Sequence, residues 1–115
     1  MELEDRLIEF TVSLLNLTDK IKDSYSGLHF KKQLIRSGSS TALLYGETRG
    51  AESKKDFIHK MGIGLKELRE SLINMNIIKR KPLINKFDLL DVLLIQCNKL
   101  IAIFVISIKT AKNNL

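Results

Sequence analysis

Apolar residues recur at helical spacing through most of this chain. The first stripe steps alternately by three and four residues, which predicts a helix over residues 3–22. Its members are Leu7, Phe10, Leu14, Leu17 and Ile21. A polar segment, residues 23–27, then interrupts the pattern. Ser26 is expected to cap the N-terminus of the helix that follows.

The second predicted helix, residues 28–48, contains the stretch SGSS, which could instead be a phosphate-binding loop or a flexible linker. Ser37 falls at helical spacing from Leu34, and Gly38 lies beside it, so the small residues keep the helical period on the face expected to be buried. Gly38 and Gly46 each cost about 1 kcal/mol relative to alanine in a helix interior. Close packing of neighbouring helices against small residues could offset that cost. We therefore expect a close-packed, narrow part of a helix here.

The third predicted helix covers residues 54–79. Gly50 is expected to end the second helix, as glycine commonly does. Ser53 and Asp56 resemble a capping box, with Asp in the place usually held by Glu. The apolar stripe of the third helix consists of Phe57, Met61, Leu65, Leu68, Leu72 and Met75.

The fourth predicted helix, residues 83–112, is apolar almost all round. Pro82 either ends the third helix or begins the fourth. Asp91 and Lys99 interrupt the apolar pattern, and the uninterrupted run 100–106 is shorter than the roughly 20 residues that a membrane span needs. No membrane association is therefore expected. A helix with two apolar faces needs a second partner surface, which predicts self-association into a homo-oligomer.

Four helices joined by short links predict an all-α fold, an antiparallel up-down-up-down four-helix bundle. The chain of 115 residues has the length of one domain, so residues 1–115 are expected to form a single bundle. The sequence shows neither an internal repeat nor a low-complexity segment.

Charge is distributed unevenly along the chain, whose formal net charge is +6. Residues 1–28 carry three basic and six acidic side chains, a net charge of −3, whereas residues 29–115 carry sixteen and seven, a net charge of +9. A basic surface attracts polyanions such as RNA and DNA. Few aromatic residues accompany the basic ones, which favours structured or duplex nucleic acid over single strands. The candidate nucleic-acid contacts are Lys31, Lys32, Arg36, Arg49, Lys54, Lys55, Lys79, Arg80 and Lys81.

The sequence contains no recognisable catalytic or cofactor-binding motif. Gly62 and Gly64 lack the preceding strand and the spacing of a phosphate loop. His29 and His59 do not occur in the Glu-x-x-His motif that holds paired metal ions in bundles. We therefore expect a protein without enzymatic activity, metal or cofactor.

Cys97 is the single cysteine of the chain, and its apolar neighbours predict a buried side chain without reactivity. A chain without an internal disulfide and with an acidic N-terminus fits the cytoplasm.

Two glutamates near predicted helix faces could form ion pairs. Glu47 and Glu70 are either exposed or paired with Arg36, Arg49 or Arg69. Such pairs would fix the register of neighbouring helices more than they would add stability.

Two quoted segments together resemble a known family. LIRSGSSTALLYGE and ESKKDFIHKMGIGLKELRESL are similar to the four-helix-bundle proteins encoded in intervening sequences of bacterial 23S rRNA genes, and the similarity extends through IAIFVISIKTAKNN. The resemblance covers about residues 5–112. It implies an antiparallel bundle assembled as a ring-like homopentamer, with no established enzymatic activity. The residues that match the family motifs are Gly38, Ser40, Glu47, Ser53, Asp56, Phe57, Glu67 and Glu70, together with Arg36.

The same resemblance leads to two hypotheses about function. A related branch, the accessory protein of diversity-generating retroelements, binds nucleic acid and a reverse transcriptase. The first hypothesis is a basic homo-oligomer that binds structured RNA or DNA. The alternative is a protein–protein assembly adaptor, for example for a reverse transcriptase. Leu44 and Asn74 differ from residues common in the family.

Overall fold

The computed structural model describes residues 2–115 and contains four α-helices. They are α1 (Leu3–Thr18), α2 (Tyr25–Thr48), α3 (Lys54–Arg80) and α4 (Asp88–Asn113). No β-strand occurs in this part of the chain. The molecule is elongated, with extents of 47 × 21 × 21 Å and a radius of gyration of 14.8 Å.

Each helix packs against two others, so that the four surround one apolar core. The pairs in contact are α1 with α2, α2 with α3, α3 with α4, and α4 with α1, and the last contact is the least extensive. All four helices supply the core: Leu7, Phe10, Leu14 and Leu17 from α1, Leu34 from α2, Met61, Leu68, Met75 and Ile78 from α3, and Leu90, Leu93, Cys97, Leu100 and Phe104 from α4. Of the stripe predicted for α3, Phe57, Leu65 and Leu72 are only partly buried.

The boundary between α1 and α2 differs from the prediction. α1 ends at Thr18, four residues earlier than expected, and α2 begins at Tyr25. Ser24, rather than Ser26, caps α2, because its hydroxyl accepts a hydrogen bond from the Gly27 amide at 3.1 Å. A Cβ atom on Gly27 would lie 1.8 Å from the Lys22 carbonyl oxygen. Only glycine therefore allows the loop to pass this close to the first turn of α2.

α4 begins at Asp88, five residues later than predicted, because residues 83 and 84 lie in a buried loop. The Leu83 amide donates to the Ile78 carbonyl at 2.8 Å, and the Leu83 carbonyl accepts from the Lys22 amide at 2.9 Å. Leu83 and Ile84 are each only 3% exposed, so their side chains close the end of the core. Pro82 follows the end of α3, which agrees with the first of its two predicted roles.

The cap of α3 agrees with the prediction in its main bond. The Ser53 hydroxyl accepts from the Asp56 amide at 3.1 Å. The return bond is shifted by one residue, because the Asp56 carboxylate accepts from the Glu52 amide at 3.3 Å. Gly50 directly follows Arg49, the C-cap of α2, and has a negative φ.

The SGSS stretch is helical, and its first two residues are packed against other helices as predicted, whereas Ser39 and Ser40 are only half-buried. Ser37 and Thr41 are fully buried, and a Cβ on Gly38 would lie 2.7 Å from the Leu14 Cδ1 atom. The absence of a side chain at Gly38 thus lets α1 approach α2 closely. Gly46 is exposed with no atom near its missing Cβ, and nothing in the structure explains it.

α4 carries apolar side chains on two faces. Besides its core residues it exposes Val92, Ile95 and Ile106, which are 49%, 57% and 64% exposed. The helix is long and apolar enough to cross a membrane by length and composition alone, with a mean hydropathy of 2.1 over an 18-residue window of which 28% is buried. The predicted interruptions at Asp91 and Lys99 are therefore too few to exclude a span by composition.

Candidate nucleic-acid interface

Several of the nine candidate cations form bonds within the bundle. Lys31 contacts the Asp23 carboxylate at 2.9 Å, and Lys79 contacts Asp91 at 2.6 Å while its ammonium lies 5.5 Å from the centre of the Phe87 ring. These contacts join each lysine to a neighbouring loop or helix. Each of these lysines is therefore already partly neutralised by a carboxylate of its own chain, which weakens its attraction for a polyanion.

Two further candidates lie at the opposite end of the bundle. Arg49, the C-cap of α2, forms an ion pair with Glu4 of α1. The Lys54 ammonium donates to the Asn114 carbonyl at 2.8 Å, next to the end of α4. Each contact joins the basic side chain to the end of another helix.

Arg36 bridges two carboxylates of α3. Its guanidinium lies 2.6 Å from Glu70 and 3.1 Å from Glu67. The hydrogen bond to Glu70 and then the charge of Glu67 raise the pKa of Arg36. Of the alternatives left open for Glu70, the structure shows the ion pair with Arg36. Glu47 is exposed, and within residues 2–115 it forms no ion pair.

The remaining candidates are Lys32, Lys55, Arg80 and Lys81. All four are exposed, and none forms an ion pair with another described residue. Lys32 and Lys55 lie on different helices, α2 and α3, whereas Arg80 and Lys81 are adjacent at the end of α3. The nine candidates thus do not form one continuous surface.

The two loops at one end of the bundle bring further cations to Arg80 and Lys81. The bond between the Lys22 amide and the Leu83 carbonyl joins loop 19–24 to loop 81–87. A depression of about 240 Å³ between them is lined by Lys20, Ile84, Asn85 and Lys86. We call the exposed cations here the basic end: Lys20, Lys22, Arg80, Lys81 and Lys86.

Fewer acids than cations lie at this end. Asp23 and Asp91 are each engaged by a lysine. Asp19 lies in loop 19–24 and Asp88 directly follows loop 81–87, and neither forms an ion pair with any residue in the described part of the chain. The basic end therefore keeps an excess of positive charge.

Lys20 and Lys22 are not among the nine candidates, because they lie in the acidic first part of the chain. Their local net charge is negative, and no linear cluster marks them. The sequence offered no signal for them, because both residues fall within the helix predicted over residues 3–22, and only the structure shows that they lie in a loop.

In the part of the chain that the structure describes, the side chains that could bind a metal ion or act as a nucleophile do not form a cluster. Cys97 is fully buried and its thiol donates to the Leu68 carbonyl at 3.3 Å. Burial raises the pKa of Cys97 from 9.0 to about 12. Among residues 2–115, no three His, Cys, Asp or Glu side chains lie together as metal ligands.

The family-motif residues have structural contacts in this bundle. The Ser40 hydroxyl donates to the Arg36 carbonyl at 2.6 Å, and Phe57 packs partly buried against the core. Ser53 and Asp56 form the cap of α3, and Gly38 lies at the contact between α1 and α2. The motif thus contributes to helix ends and helix contacts.

Four helices around one apolar core define an all-α four-helix bundle. The chain belongs to the 23S rRNA-intervening sequence protein family, whose family model matches residues 2–104. A similar solved structure is the crystal structure of a protein with unknown function from the S23 ribosomal protein family of Bacteroides thetaiotaomicron VPI-5482. The two are 26% identical with a TM-score of 0.85, and the match covers 94% of this chain and 99% of that one. No curated protein matches the chain.

Proposed function

We propose that this chain is a non-enzymatic, cytoplasmic bundle protein that binds structured RNA or DNA electrostatically as a homo-oligomer. The observation that carries the proposal is the basic end, where two adjoining loops and the last residue of α3 bring together five exposed cations. None of the five forms an ion pair with another described residue. Cations arranged in this way bind phosphates without reading sequence.

The proposal includes an antiparallel arrangement of successive helices. Contacts between α1 and α2 support it, because Glu4 pairs with Arg49 while Thr11 lies 3.5 Å from the Gly38 carbonyl. Early residues of α1 thus lie beside late residues of α2. In this order loops 19–24 and 81–87 share one end of the bundle.

The binding test compares two triple variants that remove equal charge. One replaces Lys20, Lys81 and Lys86 by glutamine, and the matched control replaces Lys32, Lys55 and Lys99. Labelled RNA hairpin and duplex DNA are titrated at several salt concentrations. The slope of log K against log salt is about −0.9 per phosphate neutralised on B-DNA.

We expect the wild type to bind with a steep salt dependence. The basic-end variant should bind more weakly and with a shallower slope, and the control should resemble the wild type. No binding of either polymer at low salt would exclude the proposed function. Equal losses in the two variants would exclude the basic end as the site.

Self-association is the second part of the proposal, and the family resemblance suggests a ring of five copies. The exposed apolar side chains of α4 support it, since large apolar patches on a soluble surface mark interaction sites. Sedimentation velocity of the purified wild type measures the assembly directly, and a monomer at all accessible concentrations would exclude it.

A protein–protein adaptor, for example for a reverse transcriptase, is a second candidate function. Exposed apolar residues of α1 and α2 favour it, among them Ile8, Val12 and Leu43 at 49%, 53% and 70% exposure. A nuclease-treated pull-down with a purified reverse transcriptase distinguishes the two functions. Retention of the enzyme without nucleic acid supports the adaptor, and its loss after nuclease supports nucleic-acid binding.

A further inference from the structure

A groove between α3 and α4 combines an apolar floor with cations. It has a volume of about 350 Å³ and is formed by Leu65, Val105 and Ile108 with Arg69, Lys109 and Lys112. Within residues 2–115 these three cations form no ion pair. The groove shares Leu65 and Arg69 with an adjoining depression lined by Gly62, Lys66 and Ile73. We call both together the α3–α4 groove.

The carboxylate that lines this groove is already held in an ion pair. Glu70 also lines the depression, but its carboxylate is held by Arg36 of α2. The groove therefore presents positive charge around an apolar floor. Its best occupant carries an apolar stripe flanked by acids.

The exposed face of α1 has this pattern. Ile8, Val12 and Leu15 follow one another at helical spacing and are 49%, 53% and 40% exposed. Asp5 and Glu9 are exposed on the same side of the helix. We call these five residues the acidic α1 face. They lie within residues 1–28, which carry a net charge of −3.

The two surfaces also agree in length. Along α3 the groove extends from residue 62 to residue 73, about 16 Å at the helical rise of 1.5 Å per residue. The acidic α1 face extends from residue 5 to residue 15, about 15 Å by the same rise.

Gly62 supplies an independent observation. It is exposed within α3, and a Cβ added there would meet no atom within 4 Å, so the fold of one chain does not require glycine. A glycine in a helix interior costs about 1 kcal/mol relative to alanine. Its missing side chain leaves the wall of the groove open to the close approach of a second helix.

We propose that the acidic α1 face of one copy docks into the α3–α4 groove of the next copy. This inference rests on the homo-oligomer of the proposed function and names the surfaces that would build it. Two different patches meet, so the contact is heterologous, and repeating it produces a ring where the rotation closes.

The experiment uses full-length variants and sedimentation velocity. The groove variant carries R69E, K109E and K112E, the face variant carries D5K and E9K, and the control carries K32E, K55E and K99E. We expect the first two to sediment as monomers and the control as the wild-type assembly. Circular dichroism checks that each remains helical, and R69Q, K109Q and K112Q replace the groove set if it unfolds.

Mixing gives a sharper outcome. The groove variant keeps an intact α1 face and the face variant keeps an intact groove, so an equimolar mixture should regain assembly, with the two variants alternating. A chain that carries both sets of substitutions should regain assembly, because the charges are exchanged. Gly62→Leu should also reduce assembly, since the side chain would fill the approach.

The outcomes separate the two proposals. A monomeric wild type overturns the homo-oligomer itself. An assembled wild type with an equally assembled groove variant overturns only the docking of α1 in the groove, as does a mixture that remains monomeric.

Discussion

The hydroxyl oxygens of Ser37 and Ser71 lie 2.8 Å apart in the contact between α2 and α3, where both side chains are fully buried. Each hydroxyl also contacts a carbonyl of its own helix, Leu34 at 3.4 Å and Glu67 at 3.0 Å. Two polar side chains can therefore occupy a close helix contact without an unsatisfied group.

The two single serine substitutions should together lower the free energy of unfolding by more than the double substitution does. Ser37→Ala or Ser71→Ala leaves a buried hydroxyl without its partner, with an expected loss of about 1 kcal/mol in the free energy of unfolding. The double variant removes both polar groups and should lose less than the sum. Urea denaturation of the four proteins gives the coupling energy, and strictly additive losses would contradict the mutual hydrogen bond.

Substitutions of glycine by alanine should have opposite effects at different sites. At Gly38 the new Cβ would lie 2.7 Å from Leu14, and at Gly64 it would lie 2.9 Å from the Phe104 ring. Both neighbours are fully buried and cannot move freely, so each variant should lose about 1 kcal/mol or more through overpacking.

Gly62→Ala is the matched control in the same helix as Gly64. Its Cβ would meet no atom of its own chain, so in the monomeric chain the variant should gain up to about 1 kcal/mol from helix propensity. Thermal and urea denaturation at equal protein concentration measure all three variants. A stabilised Gly38→Ala or Gly64→Ala protein would show that the helices are not packed as closely as described.

The sequence predicted the helices because their apolar stripes are long and regular. It failed where a contact between distant segments decides the outcome. Ser24 and Ser26 are equally suitable caps by residue type, yet it is the Ser24 hydroxyl that accepts from the Gly27 amide. Leu83 and Ile84 look like the start of a helix, yet they are buried in a loop that closes the core.

The candidate site was less predictable than the fold. Basic residues are visible in the sequence, but their partners lie on other elements, as for Arg49 with Glu4 and Lys79 with Asp91. Lys20 and Lys22 join the basic end only because two loops meet there. Proximity in the sequence therefore does not show which charges lie together in the fold.

The contact of Arg36 with Glu67 and Glu70 should contribute modestly to stability. The Arg36 side chain is 51% exposed, so solvent weakens the attraction, and coupling energies of exposed pairs are about 0.2–1 kcal/mol. Arg36→Lys should recover only part of the coupling, because an ammonium lacks the planar fork of a guanidinium.

A double-mutant cycle with Arg36→Ala and Glu70→Gln measures this coupling, and added salt should reduce it. Lys60 with Asp56, an ion pair within α3, provides a comparison that does not join two helices. A coupling of zero at low salt would show that the observed geometry does not contribute to stability.

Burial of Cys97 should make stability depend on alkaline pH. Its pKa is raised to about 12 by loss of hydration, whereas the thiol of the unfolded chain ionises near 9.0. Between these values the unfolded chain binds fewer protons than the native chain, so the free energy of unfolding falls as pH rises, by about 1.4 kcal/mol per pH unit at most. The contribution is fully present below pH 9.

Urea denaturation of the wild type and Cys97→Ala between pH 8 and about 11 tests this linkage. The alanine variant should start from a lower stability because of its cavity but should lose less with rising pH. Lysine titration is common to both proteins and cancels in the comparison. Equal slopes would contradict a buried, protonated thiol. A native thiol that reacts with iodoacetamide as fast as the unfolded chain would contradict it as well, because only the exposed thiolate is the nucleophile.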